Sequence, residues 1–334
     1  MSQNRDITFD MMKGIGIILV IIGHLVHGFG WLVPAIYTFH MPLFFILSGY
    51  FYKEKKITEL LHRDFRSLLV PYLLVTATTI IYGILVGAWQ HAPEKTWYWI
   101  NSFLYAGINN SGIGPLWFLL AMFWCRLLYN LLYKIVKQIP GLTILYMVII
   151  SYILFAIISY AHNYMQTINA QCFINGIYAM FYFSLGHLAN VLRNKIQILP
   201  NYYLLFITII AAIGIASIIV CMGTSDMSTF RQHIAYNVLA SIATTLLLYT
   251  LCNNIKALSG RFLSWYGRLS LVVFSLHTVM YRILPIDKIF EIILHTESPY
   301  ITNSLTVIFH IAITVLLCKV SEKNKVMSYL FYLK

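Results

Sequence analysis

Long apolar runs separated by short polar breaks follow one another along the whole chain. The run at residues 14–33 is apolar on every helix face, and a helix needs about 20 such residues to cross the roughly 30 Å hydrocarbon core of a bilayer. Strands of membrane barrels instead alternate apolar and polar positions over segments of about ten residues. The pattern therefore predicts an all-α polytopic membrane protein.

The polar breaks divide the chain into about ten transmembrane helices. Their predicted bounds are 14–32, 35–52, 67–89, 116–134, 142–160, 172–192, 202–222, 234–252, 269–285 and 302–320. We expect a single integral-membrane domain over residues 1–334, with no separate soluble domain. Asp6 and Asp10 precede the first apolar run, so we expect that run to be kept as a span and not cleaved as a signal peptide.

Composition and charge support a membrane protein with both termini in the cytoplasm. The chain is 60% hydrophobic and 10% charged, whereas soluble domains carry about 25% charged residues. With the N-terminus inside, 19 of the 23 Lys and Arg lie on the cytoplasmic side, which leaves outside only Lys95, Arg231, Arg282 and Lys288. This positive-inside distribution explains the net charge of +12 without a nucleic-acid partner, and the lipid bilayer is the expected partner.

Histidines inside three predicted spans are the main candidates for chemistry. His24 follows Lys13 by eleven residues, so the two side chains lie on the same face of the helix, about 16 Å apart along its axis. Asp10 lies near the same face. His40 and His277 lie about 19 and 13 Å from the inner edges of their spans. Ionisable groups at such depth are costly and indicate function, although an interhelical hydrogen bond would also explain a single buried histidine.

Metal chemistry is the weaker interpretation of these histidines. The five cysteines are scattered without a Cys-x-x-Cys pair, and no Cys or carboxylate shares the predicted depth of the imidazoles, so we predict no metal site. Acid–base catalysis or proton relay uses a near-neutral imidazole more naturally.

Four motifs follow one another along the predicted spans. They are Asp10-x-x-Lys13-Gly-Ile…Gly23-His24, Phe39-His40-Met-Pro-Leu-Phe-Phe…Ser48-Gly49, Gly114-Pro-Leu-Trp117-Phe-Leu and Ser270-Leu-x-x-Phe-Ser-Leu-His277. In this order they resemble the membrane-bound acyltransferase family 3, whose members O-acylate cell-surface glycans and some antibiotics. The resemblance implies that His24 is catalytic, with Lys13 where the family often has Arg. We expect His40 and His277 to line the same cavity, shaped by Ser48 and Trp117.

The resemblance also implies an acyl-coenzyme A donor on the cytoplasmic side. Family members carry Arg-x-x-x-Arg at the start of the third span; here Arg66 fits, His62 occupies the partner position and Arg63 is adjacent. Guanidinium groups suit the donor's phosphates, and Arg126 could meet the phosphates or the acyl oxygen. The alternative for Arg66 and Arg63 is ordinary positive-inside charge. The alternatives for Arg126 are snorkelling to the inner surface, or an end of the fourth span at this residue.

Aromatic residues bracket a polar segment between the third and fourth predicted spans. Their rings could stack on sugars, or they form an interfacial aromatic belt. They are Trp89, Trp97, Tyr98, Trp99 and Tyr105.

Together these features predict an O-acyltransferase of the bacterial cytoplasmic membrane. It would move an acyl group, expected to be acetyl, from cytoplasmic acyl-coenzyme A to a hydroxyl of a membrane-accessible glycan or glycolipid. His24 would be the general base, and Lys13 would orient the donor or offset negative charge. A covalent acyl-histidine relay is an open alternative to direct transfer. Acyl-coenzyme A, expected to be acetyl-CoA, would be a co-substrate, with no permanently bound cofactor.

A secondary transporter or glycan flippase is the alternative from another functional class. In that case the mid-membrane histidines would carry protons or bind the substrate. Such transporters tend to show inverted repeats with interrupted spans. No internal symmetry is evident here, and the predicted spans lack the carboxylates typical of proton coupling, so the sequence favours the enzyme.

Cysteine labelling tests the predicted topology. In a cysteine-free background, single cysteines at positions Asn109 and Asn163 should react with an impermeant thiol reagent in intact cells. A cysteine at position Asn194 should react only after permeabilisation, because the basic residues place it inside. Labelling at position 194 in intact cells would contradict the ten-span topology.

Overall fold

The computed structural model describes residues 6–26, 32–89, 94, 114–161, 164, 170–193, 206, 209–210, 213–214, 216–217, 234–284, 286–295 and 298–331. Across this part of the chain the regular structure is helical, without a strand. The α-helices are α1 (Ile7–Leu25), α2 (Leu32–Tyr50), α3 (Ile57–Asp64), α4 (Val70–Trp89), α5 (Trp117–Val136), α6 (Thr143–Tyr160), α7 (Gln171–Leu192), α8 (Ile234–Arg268), α9 (Ser270–Ile283), α10 (Ile286–Leu294), α11 (Pro299–Lys323) and α12 (Lys325–Leu330). A π-helical turn, Phe65–Leu69, joins α3 to α4, and a 3₁₀ turn, Gly114–Leu116, precedes α5.

Eight helices of the described ranges are long and apolar enough to cross a membrane, which confirms the all-α polytopic membrane fold. They are Ile7–Leu25, Leu32–Tyr50, Ile57–Gly87, Trp117–Val136, Thr143–Tyr160, Gln171–Leu192, Ala235–Ile255 and Tyr300–Lys323. α9 contains a shorter apolar stretch, Ser270–Met280. Most of the predicted span at 202–222 lies outside the described residues. The count of ten and the inside location of both termini stay predictions.

The first helix begins at Ile7, seven residues before the predicted start of the first span. Asp6 caps it, because its carboxylate Oδ1 accepts a hydrogen bond from the backbone N–H of Thr8 at 3.0 Å. The helix ends at Leu25, so the predicted end at residue 32 is wrong. With this cap, the helix includes the residues that precede the apolar run. Because the helix ends at Leu25, His24 lies in its last turn.

The predicted polar connection after residue 252 is also wrong, since α8 continues as a helix to Arg268. Lys and Arg are good helix formers. A Lys or Arg after an apolar run therefore marks the point at which a helix becomes polar, and not the point at which it ends. As a result α9 starts only two residues after α8 ends.

Glycines allow two pairs of helices to touch backbone to backbone. A Cβ atom at Gly14 would collide with the carbonyl oxygen of Leu263 on α8, and one at Gly267 would collide with the carbonyl oxygen of Asp10 on α1. Helices α2 and α7 approach in the same way at Gly49 and Gly186. Small residues at helix crossings give membrane helices their closest packing, so these contacts fix the positions of α1 and α2.

A proline inside α2 creates a second link between α2 and α8. Pro42 has no N–H, so the carbonyl of Thr38, four residues earlier, lacks its usual helical donor. The hydroxyl of Ser241 on α8 donates mainly to the carbonyl oxygen of Asn237 on its own helix at 2.7 Å, and the Thr38 carbonyl oxygen at 3.1 Å is its second, weaker acceptor. Membrane-embedded backbone groups must find partners inside the protein, and this contact supplies one across the helix interface.

Replacement of Gly14 by Ala should destabilise the bundle by about 1–3 kcal/mol, since the added methyl group meets backbone that cannot rotate away. Gly16→Ala, two residues further on, is the matched control. Its Cβ would lie 3.1 Å from the tips of the Leu43 and Phe44 side chains, which can move. Thermal unfolding of both variants in detergent measures the difference. Equal midpoints would contradict the role assigned to the Gly14 contact.

Candidate active site

Four histidines from four helices meet in the bundle. The rings of His24 on α1 and His277 on α9 are stacked with centroids 5.9 Å apart, and His310 on α11 meets His277 edge-on at 5.6 Å. On the other side, Tyr37 of α2 lies 6.0 Å from His24 and stacks on His40 at 5.1 Å. The structure therefore brings the three predicted histidines together and adds a fourth, and we call these four residues the histidine cluster.

The histidine cluster is largely shielded from solvent. His277 is completely buried and His310 and His40 nearly so, while His24 is half-buried. Charged imidazoles in such surroundings would cost much free energy. The more buried members are therefore suited to remain neutral, whereas the ring of His24 is partly exposed, although its Nε2 atom is enclosed.

His24 has a polar partner on α2. The Tyr37 hydroxyl donates to the carbonyl oxygen of Gly23 at 3.0 Å and lies 3.4 Å from Nδ1 of His24. His24 also lies in the last turn of α1, where the helix dipole stabilises a positive charge. Both features suit an imidazole that accepts a proton during a reaction.

His40 is held by its own helix. Its Nδ1 lies 2.8 Å from the carbonyl oxygen of Ile36. Because a carbonyl only accepts, Nδ1 carries the proton and Nε2 is the acceptor nitrogen. The helix thus sets both the orientation and the tautomer of this ring.

Aromatic side chains of α2, α5 and α9 pack against one another one helical turn from His277. Phe118 contacts Phe45 of α2 at 5.2 Å and Phe274 of α9 at 5.8 Å, and Phe274 lies one turn before His277. Trp117 is buried at the start of α5, next to Phe118. The apolar wall that they form lowers the local dielectric and strengthens polar interactions nearby.

Lys13 and Asp10 lie away from the histidine cluster. Nζ of Lys13 is 3.5 Å from Oδ1 of Asp10 and 5.5 Å from the centre of the Phe51 ring. Eleven residues of helix separate Lys13 from His24, about 16 Å along the axis. Ser48 is similarly distant from His40, by eight residues or about 12 Å. These three polar residues therefore belong to a different level of the bundle.

Two of the three predicted donor-binding arginines pair with a buried carboxylate. Oδ1 of Asp64 accepts from Nε of Arg63 and from Nη2 of Arg126, both at 3.1 Å. Asp64 is only 1% exposed, so an unpaired carboxylate would be unfavourable there. The ion pairs explain how Arg126 is accommodated inside α5, which continues ten residues beyond it.

Arg66 occupies the π-helical turn between α3 and α4. Its guanidinium lies 4.4 Å from the centre of the Tyr329 ring on α12. Short π-helical segments often occur at functional sites. A cation–π contact of this kind holds the guanidinium in place.

A family model described as an acyltransferase domain matches residues 6–321. The match covers the histidine cluster, the arginines and nearly every described helix. The chain belongs to this acyltransferase family. The resemblance seen in the four sequence motifs is thereby confirmed, and so is the prediction of an acyltransferase at the level of the family.

Two curated relatives of this acyltransferase match over shorter stretches. Nodulation protein NolL of Sinorhizobium fredii is 55% identical over 60 residues, which are 15% of this chain and 16% of the relative. Nodulation protein NolL of Mesorhizobium japonicum is 42% identical over 86 residues, which are 22% of this chain and 23% of the relative. The matched stretches thus span less than a quarter of either relative. No solved structure matches the chain.

Sequence reasoning missed three polar residues of the acyltransferase. His310 lies nine residues before Lys319, so the depth argument that selected His277 could have found it. Asp64 is a lone carboxylate next to Arg63, a weak signal for a buried ion pair. Tyr37 carries no sequence signal of its own, because its role depends on how α2 packs against α1.

The aromatic segment cannot be compared with the structure. Trp97, Tyr98, Trp99 and Tyr105 lie outside the described residues, and Trp89 is the last residue of α4. Within the described ranges, no three His, Cys, Asp or Glu side chains are placed to hold a metal ion.

Proposed function

We propose that this membrane acyltransferase moves an acyl group, acetyl in the simplest case, from cytoplasmic acyl-coenzyme A to a hydroxyl of a glycan or glycolipid. The observation that carries the proposal is the histidine cluster, in which the half-buried His24 contacts the hydroxyl of Tyr37 and stacks on the ring of His277. Membership of an acyltransferase family supplies the reaction class.

His24 acts as the general base. A hydroxyl is a poor nucleophile until its proton is removed, and a neutral imidazole accepts a proton at physiological pH. The acceptor oxygen attacks the thioester carbonyl, the hydroxyl proton passes to His24, and the carbon–sulfur bond breaks. The departing thiolate then takes this proton from His24 and leaves as coenzyme A, which returns His24 to its neutral form. The C-terminal end of α1 favours the imidazolium formed on the way.

The arginines bind the phosphates of the donor. Arg63, Arg66 and Arg126 carry three positive charges against the single charge of Asp64, so the local excess suits an anion. Asp64 orients two of the guanidinium groups, and Tyr329 supports the third. Charge-assisted bonds of this kind are among the stronger polar contacts in proteins.

Lys13 belongs with the donor and not with the base. It lies about 16 Å from His24 along α1, too far to meet a charge that develops beside the imidazole. Its ion pair with Asp10 leaves it 28% exposed. An ammonium at that level is suited to orient an anionic donor that reaches toward the histidine cluster.

The acceptor side of the reaction involves the remaining predicted residues. His40 and His277 line the cavity around His24, and Trp117 shapes its wall, while Ser48 contributes nearer to the level of Lys13. The lipid bilayer is the constant partner, and a bacterial cytoplasmic membrane gives access both to cytoplasmic acyl-coenzyme A and to membrane-attached glycans.

Replacement of His24 by Gln tests the base. Gln retains hydrogen-bonding capacity but cannot take the proton, so acyl transfer should fall by roughly 10²–10⁴-fold. His187→Gln is the matched control, because His187 is also a buried intramembrane histidine bound to a tyrosine, Tyr129, at 2.9 Å. Acetyl transfer by purified, monodisperse variants measures the effect. Near-normal transfer by a folded His24→Gln variant would contradict the role of His24 and would assign the base to another histidine.

Replacement of Arg66 by Ala tests the donor site. Loss of a charge-assisted phosphate bond of about 1.5–3 kcal/mol should weaken acyl-coenzyme A binding about 10- to 150-fold, and Arg66→Lys should recover part of it. Lys56→Ala, which removes an exposed charge from the same connection, should bind normally. Calorimetric titration with acetyl-CoA compares the three variants. Normal binding by Arg66→Ala would leave Arg66 with only a topological role.

A further inference from the structure

The contact between Tyr37 and His24 determines which imidazole nitrogen can act as a base. The Tyr37 hydroxyl lies 3.0 Å from the carbonyl oxygen of Gly23 and 3.4 Å from Nδ1 of His24. A tyrosine hydroxyl has one proton to donate and lone pairs that accept. Its proton can therefore serve only one of these two partners.

The carbonyl of Gly23 takes the hydroxyl proton. A carbonyl oxygen can only accept, and it is the nearer partner. Gly23 also lies two residues from the end of α1, among the last four carbonyls, which have no donor within their helix. Buried backbone groups of membrane helices need a partner inside the protein, so this bond is strongly favoured.

The proton on the second contact must then come from the imidazole. With the hydroxyl proton committed to Gly23, the tyrosine oxygen can only accept from His24. We propose that Tyr37 is a positioning residue that holds neutral His24 with its proton on Nδ1, which makes Nε2 the basic nitrogen. This inference rests on the proposed function, because it assigns the reacting atom of that same base.

The arrangement favours the charged form produced during transfer. When Nε2 takes the proton of the acceptor hydroxyl, Nδ1 remains a donor and its bond to the tyrosine oxygen becomes charge-assisted, hence stronger. An interaction that strengthens as the reaction proceeds raises kcat with little effect on KM. Tyr37 should therefore influence turnover more than donor affinity.

Gly23 allows the tyrosine to approach. A Cβ atom at this position would lie 2.9 Å from Cε1 of Tyr37, closer than carbon atoms normally approach. The stack of Tyr37 on His40 at 5.1 Å holds the ring from the other side. The position of the hydroxyl is thus set by packing on both faces.

Nitrogen NMR of the full-length protein in nanodiscs tests the tautomer directly. Protonated and unprotonated imidazole nitrogens have well-separated ¹⁵N shifts, and the His24 signals are those that vanish from ¹⁵N-histidine spectra of the His24→Gln variant. In the wild type, Nδ1 of His24 should be protonated and Nε2 unprotonated. In Tyr37→Phe, the proton should move largely to Nε2.

Enzyme kinetics provide the second test of the role of Tyr37. Tyr37→Phe should lower kcat about 3- to 10-fold, the effect of one ordinary hydrogen bond, with KM for acetyl-CoA unchanged. Tyr129→Phe is the matched control, because it removes a hydroxyl placed 2.9 Å from Nδ1 of His187; it should leave both kcat and the His24 spectrum unchanged. Gly23→Ala, which displaces the Tyr37 ring, should reproduce the spectral change of Tyr37→Phe.

The outcomes separate this inference from the proposed function. A wild-type His24 with its proton on Nε2, or a spectrum unchanged by both Tyr37→Phe and Gly23→Ala, would overturn the role of Tyr37 whatever the activity. Near-normal transfer by His24→Gln would overturn the base itself, and with it the catalytic meaning of the tautomer, even if the spectra agree with the hydrogen bonding described above.

Discussion

The backbone contact between α1 and α8 determines where the histidines meet. Gly14 and Gly267 lie against the opposite helix with no room for a side chain. His24 follows Gly14 by ten residues along α1, a rise of about 15 Å. His277 lies seven residues after the start of α9, a rise of about 11 Å, and α9 starts three residues after Gly267. Their stacked rings at 5.9 Å are the outcome. A larger residue at either glycine would separate the helices and the rings together.

The second helix is fixed by a comparable constraint and brings the hydrogen-bonding partner. Gly49 and Gly186 lock α2 to α7, and the carbonyl released by Pro42 is bound by Ser241 of α8. α2 is thereby held on two sides, and Tyr37 contacts His24 of α1 as a consequence, with His40 stacked on Tyr37. Polar groups in an apolar bundle gain most when such packing pre-orients them, because they cannot exchange partners with water.

Much of this architecture could be predicted from the sequence, and what was missed has a physical reason. The apolar runs predict the spans. The cost of ionisable groups in hydrocarbon singles out His24, His40 and His277 as candidates, since each lies within such a run. The ends of α1 and α8 do not, because a cap at Asp6 and good helix formers extend helices beyond their apolar runs. Tyr37 and the pairing of Arg126 with Asp64 depend on which helices touch, which one sequence does not encode locally.

Lys13 and His24 share one helix but lie at two different depths of the bundle. A basic residue eleven positions before the histidine shares its helix face, yet the rise of α1 places it about 16 Å away, paired with Asp10. A base needs a partner within hydrogen-bond reach to fix its tautomer, and a charge at that distance cannot serve. Tyr37, from another helix, is within reach. In the proposed mechanism the two basic residues of α1 therefore act at different depths, the lysine on the anionic part of the donor and the histidine on the proton of the acceptor hydroxyl.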